Sequence, residues 1–194
     1  MSTFILYVRL GYRHVLDIYG VDYMLFIIAL MAIYLIRDWR KALVLFLFYI
    51  LGHSITLSLS VNDILNVNVR VIEYLIPLTI FIAAALNILK KNETYAPRSV
   101  FRQIIVFLFG LIHGFGFADY HKEILGANQS VAIPIIGFNL GIELGMFVVG
   151  AVFLIISWIF VNNFGVSRRD WNLLISSGIA GVALTLMFES RYWL

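Results

Sequence analysis

Residues 131–161 read VAIPIIGFNLGIELGMFVVGAVFLIISWIFV, about thirty consecutive positions without a lysine or arginine and with one carboxylate, Glu143. A helix at a protein–water boundary needs a polar face, and this stretch has none to offer. About 20 apolar residues cross a hydrocarbon layer of about 30 Å. A helix over 131–161 is therefore longer than a membrane requires, and must tilt, project beyond the bilayer, or break near Gly137 and Gly141. The rest of the chain follows suit: 62% of its 194 residues are apolar and 13% charged, too much apolar surface to hide in a soluble globule of this size.

Working outward, further apolar runs lie at 21–36, 42–60, 71–89, 103–117 and 171–188. The expected fold is all-α, a polytopic transmembrane helix bundle of about six spans forming one membrane domain over 1–194. Arg37, Asp38, Arg40 and Lys41 divide the first two spans. Glu73 and Pro77 fall in the third, where the proline predicts a kink. Lys90–Arg102, with Asn92, Pro97 and Ser99, reads as a loop. Residues 1–20 mix Arg9 and Arg13 with Phe4, Leu6, Tyr7 and Leu10 and lack a small-residue cleavage site, which predicts a retained N-terminal interfacial helix rather than a signal peptide. Of the 14 lysines and arginines, Arg37, Arg40, Lys41, Lys90, Lys91, Arg98, Arg102, Arg168 and Arg169 follow the odd-numbered spans. The positive-inside rule then puts both termini outside, periplasmic in a bacterial inner membrane.

Cysteine is absent, so any metal must be held by nitrogen and oxygen. The net charge of +3 reads as loop charge holding topology. No basic cluster interleaved with aromatics marks a nucleic-acid surface, which leaves the lipid bilayer and small ions as expected partners; a homo-oligomer or membrane-complex partner stays open.

An ionisable residue inside a span costs about 2.5–3.5 kcal/mol even on lenient scales, so each needs a reason. In the second span Tyr49, His53, Thr56 and Ser60 repeat at four, three and four residues and form one stripe, with Gly52 beside His53. In the fourth, His113 adjoins the small-xxx-small pair Gly110 and Gly114. In the fifth, Gly137, Gly141 and Gly145 form one stripe while Asn139 and Glu143 lie on roughly the opposite face. The first contributes Asp22 and Tyr23 at its outer end, with His14 before it. At 1.5 Å per residue, His53 and His113 fall about 16–18 Å from the inner edge of their spans and Glu143 about 18 Å from the outer edge, all near the midplane. Imidazole, carboxylate and amide together suit a divalent ion such as nickel, cobalt, zinc, manganese or iron. The plainer readings are that a lone histidine hydrogen-bonds a neighbouring helix, that the glycines, Tyr23 and Met146 pack, and that His121, beside Lys122 and Glu123, is solvated loop.

The segments Gly52–Leu57 (GHSITL), Gly110–Ala118 (GLIHGFGFA) and Phe138–Gly145 (FNLGIELG) resemble the HupE/UreJ family of bacterial membrane proteins. Gly11–Phe26, with His14, Gly20 and Asp22, looks like its first motif, and Glu189, Arg191 and Trp193 echo it weakly. The resemblance implies nickel or cobalt supply by a secondary permease, with His14, Asp22, His53, His113 and Glu143 as metal contacts. Two positions depart from the family pattern: Tyr23 stands where histidine usually follows the aspartate, and Met146 where glutamine usually follows the last glycine. With one imidazole fewer, metals other than nickel come into play. The leading expectation is a divalent transition-metal permease. Ions enter from the periplasm past Asp22 and His14, bind His53, His113, Asn139 and Glu143, and move as helices rock over the glycine stripes. The alternatives are an intramembrane metal-dependent hydrolase with Glu143 as general base, for which no His-Glu-x-x-His pattern occurs, and an accessory or structural subunit of a membrane complex.

Overall fold

The computed structural model describes residues 2–17, 21–62, 64–65, 67–90, 100–116 and 132–190. All regular structure among them is helical: α1 (Thr3–Val15), α2 (Asp22–Met31), a 3₁₀ turn (Ile36–Asp38) running into α3 (Trp39–Val61), α4 (Val69–Ile88), α5 (Val100–Phe115), α6 (Ala132–Trp158) ending in a π turn (Ile159–Asn163), and α7 (Arg168–Glu189). The starts of α4 and α7 carry side-chain caps. Asn68 accepts from the Arg70 amide at 3.0 Å, and Ser167 accepts from the Asp170 amide at 3.0 Å while donating to its carboxylate at 2.7 Å. Gly165, at φ +69°, supplies the left-handed residue that turns the chain from α6 into α7.

Four helices are long and apolar enough to cross a membrane: residues 36–60, 69–88, 132–163 and 168–189. The expected first and fourth spans are shorter, ten residues in α2 and sixteen in α5. The expected loops over residues 91–99 and around His121 lie outside the described residues, as do Gly20, Phe117, Ala118, Arg191 and Trp193. Of the three ways to fit the long apolar stretch, a break at Gly137 or Gly141 is overturned. α6 is continuous through both, because each glycine faces α1 and neither interrupts the backbone ladder.

Glycine sets how the helices meet. A Cβ added at Gly137 would meet the Phe4 carbonyl of α1, at Gly141 the Val8 carbonyl, and at Gly145 the Val15 side chain. This is a four-residue register between two helices running the same way. One step on, Gly150 faces Ile27 and Met31 of α2. Helices α1 and α2 thus follow one another along α6. α1 runs alongside α6 over this register. A second seam joins α3 to α5, where a Cβ at Gly52 would meet the Phe107 carbonyl, at Gly110 the Tyr49 carbonyl and at Gly114 the His53 carbonyl. α4 pairs with α7, and α2 fills the centre against α4 and α6.

Polarity runs inside out. His53, Thr56, Ser60, Thr79, Asn87, His113, Ser157, Asn172 and Ser176 are buried, while Leu140, Leu144, Phe147, Val148, Val152 and Ile155 line an exposed face of α6. A continuous exposed apolar face is a lipid face. At the Lys/Arg-rich end the last carbonyls of α2 find side-chain donors. Asn87 Nδ2 donates to the Ala29 carbonyl at 2.6 Å and Arg168 to that of Ile33 at 2.9 Å. Arg168 also pairs with Asp38, Arg102 donates to Asn87 Oδ1 at 2.8 Å and Asn172 to the Asn87 carbonyl at 2.9 Å. This end of the bundle is therefore tied shut by hydrogen bonds.

Because the neighbouring atom at each seam is backbone, enlarging a seam glycine forces whole helices apart. Gly110→Val and Gly141→Val are expected to destabilise the folded protein by about 3 kcal/mol or more. Gly178→Ala and Gly181→Ala, where an added Cβ meets nothing within 4 Å, should hold or raise the thermal midpoint in detergent, since alanine is the better helix former by about 0.5–1 kcal/mol.

Candidate ion site

The α3/α5 seam brings two histidines level. His53 follows Gly52 and His113 precedes Gly114, and since the helices run parallel with Tyr49 facing Gly110 and His53 facing Gly114, both imidazoles turn into the same central space. Both are at most 1% exposed. Between them stands Tyr23 of α2, with ring centroids 5.8 Å from His53 and 6.2 Å from His113. His14 of α1 joins at 5.8 Å from the Tyr23 ring and 6.1 Å from Phe138. Phe26 and Tyr49 wall the space, stacked at 4.7 Å, and Phe26 covers His113 at 4.7 Å.

A hydrogen-bond chain fixes the orientation of each polar group. Asn139 Nδ2 donates to Glu143 Oε1 at 2.7 Å and to Ser54 Oγ at 2.8 Å, and Ser54 donates to the same carboxylate oxygen at 3.1 Å. The amide oxygen of Asn139 is then the acceptor that meets His53 Nδ1 at 3.3 Å. His53 carries its proton on Nδ1 and presents the Nε2 lone pair, which accepts from the Tyr23 hydroxyl at 3.3 Å. His113 is the mirror case. Thr79 gives its one hydroxyl proton to the Ile76 carbonyl at 2.7 Å, so at 2.8 Å it accepts from His113 Nε2–H, leaving Nδ1 as the lone-pair atom. Second-sphere partners of this kind orient metal-binding imidazoles.

Of the residues read from the sequence, the structure brings His53, Asn139 and Glu143 into one hydrogen-bonded chain and places His113 and His14 in ring contact with Tyr23. Asp22 opens α2 next to Tyr23. Glu73 is exposed on α4, apart from this group. Three participants were missed. Tyr23 read as packing because it sits in an apolar run without periodicity. Ser54 lies one residue off the α3 stripe, on the side turned to α6. Thr79 has no partner in sequence that marks it. Met146 does pack, fully buried.

Among the described residues no three His, Asp or Glu side chains converge closely enough to hold a metal. Tyr49 adds a further sign, since its hydroxyl is fully buried beside both histidines (ring centroids 6.0 and 5.6 Å) and has no hydrogen-bond partner among the described residues. Buried hydroxyls are nearly always satisfied, and a hydrated ion or water would satisfy this one.

Against known protein families, residues 1–192 match the family described as HupE / UreJ protein. No curated protein and no solved structure matches.

Nitrogen-15 NMR of histidine-labelled protein should show His53 as the Nδ1–H tautomer and His113 as the Nε2–H tautomer. Asn139→Leu, which strips the acceptor from His53 and a donor from Glu143, should abolish the His53 preference and cost about 2 kcal/mol of stability or more. Ser54→Ala should cost about 1 kcal/mol.

Proposed function

The chain belongs to the HupE/UreJ family, and from that premise we propose that it is a permease for a divalent transition-metal ion of the nickel/cobalt class, operating in a bacterial inner membrane. The observation that carries the reading is the pair of buried imidazoles, His53 and His113, held level across a glycine seam and both in ring contact with Tyr23 and with Tyr49, whose hydroxyl is unsatisfied among the described residues. A buried polar cluster of this cost, surrounded by lipid-facing helices, is a functional site before it is a structural one.

The packing supports counting α1 and α2 as a single interrupted crossing alongside α6. With α3, α4, α5, α6 and α7 that makes six crossings and returns both termini to the outer side. Interrupted helices that meet a site at mid-depth are a recurring device of secondary transporters. The ion arrives from the outer side past His14 and Asp22, displaces the Tyr23 hydroxyl from His53 Nε2, and meets His53, His113 and the Glu143 carboxylate in turn, no three of which close around it together. Asn139 keeps both His53 and Glu143 aimed. The absence of a closed cage among the described residues fits a cargo site, because a transported ion must leave as readily as it enters. The membrane potential drives a divalent cation inward with about 2.3 kcal/mol per charge per 100 mV. Its exit requires the Asn87, Arg102, Asp38 and Arg168 ties at the inner end to part.

Influx of Ni²⁺, Co²⁺ or Zn²⁺ into proteoliposomes, followed with an enclosed metal-sensitive dye under an inside-negative potential, tests this. His53→Ala, His113→Ala and Glu143→Gln are each expected to lower the initial rate by about tenfold or more in protein that remains folded. Unchanged rates in all three, or no influx by the wild type, would instead favour an accessory subunit whose polar centre fixes helix register.

A further inference from the structure

Away from the ion site, α3 and α6 part at the Lys/Arg-rich end and leave an open groove of about 340 Å³. Its floor is Met31 and Gly150, its walls are Ala42, Phe46, Phe147 and Leu154, and every residue lining it is apolar. The volume lies in the range of sites that hold small organic molecules, about 300–1,000 Å³. The groove ends at Ile36 and Trp39, where the polarity changes sharply. The Arg40 guanidinium lies 5.5 Å from the Trp39 ring centroid, Arg37 is exposed in the same turn, and Lys41 stands 3.6 Å from Asp38.

We infer that this seam binds an anionic phospholipid, one acyl chain lying in the groove and the phosphate on Arg37 and Arg40. The inference stands apart from the proposed ion transport and uses none of its residues. An apolar slot in a lipid-facing wall that opens beneath two exposed guanidiniums and a tryptophan matches a phospholipid along its length: hydrocarbon below, amphipathic ring at the boundary, positive charge above. Arg40 over Trp39 holds one guanidinium at the mouth. Neither arginine makes an ion pair among the interactions described for it, unlike Arg168, whose charge is taken by Asp38.

Tryptophan quenching by lipids with brominated acyl chains tests the site, with the Trp39 signal obtained as the difference between wild type and Trp39→Phe. In phosphatidylcholine vesicles, brominated phosphatidylglycerol should quench Trp39 at a lower mole fraction than brominated phosphatidylcholine. Arg37→Gln and Arg40→Gln, exposed substitutions that leave the fold intact, should each reduce that preference about fivefold. Ala151→Phe, which fills the groove from α6, should remove the quenching itself. Equal quenching by both lipids, a preference that survives loss of both arginines, or a Trp39 that neither lipid reaches because a second copy covers it would each overturn the inference.

Discussion

The structure depends on backbone contact across glycine. Where α3 meets α5, the carbonyls of Tyr49, His53 and Phe107 lie against Gly110, Gly114 and Gly52, and no side chain separates the two helices. In a bilayer there is little hydrophobic gain in bringing apolar helices together, so close approach and the dispersion it brings must hold them. That approach sets the chemistry as well. It places His53 and His113 at one depth, on neighbouring helices, with only α2 able to come between them. The α1/α6 seam does the same for the second half of the site, aligning α1 with the helix that carries Asn139 and Glu143.

Burying imidazoles, amides and a carboxylate among lipid-facing helices is costly unless every group finds a partner. Here the cost is offset by a directed chain from Tyr23 through His53 and Asn139 to Glu143, and Thr79 does the same for His113, which leaves the Tyr49 hydroxyl as the buried polar group without a partner among the described residues. Six of the seven helices contribute a residue, and the seventh, α7, ties the opposite end through Arg168 and Asn172. The polar centre and the hydrogen-bonded ties of Arg102, Arg168 and Asn172 thus lie at different levels of the bundle.

Much of this was legible in the sequence. Composition and the apolar stretch over 131–161 established helices in lipid. The stripe Tyr49, His53, Thr56 and Ser60 and the opposed faces of α6 were readable because helical periodicity fixes which residues share a side. Periodicity says nothing about partners on other helices, which is why Ser54 and Thr79 escaped notice and Tyr23 passed for packing. The packing of α1 along α6 was not legible for a related reason. Its arginines and apolar residues suit an interface when the helix is taken alone, and only the α6 glycines show that a backbone must lie against them.

The central claim is that His53 and His113 form one ion site. Equilibrium dialysis of purified protein against Ni²⁺, Co²⁺ and Zn²⁺, with bound metal counted by mass spectrometry, tests it most directly. Saturable binding of one of these ions by the wild type, lost in the folded His53→Ala/His113→Ala double variant, is the expected result. Equal uptake by both proteins, or none by either, would contradict it.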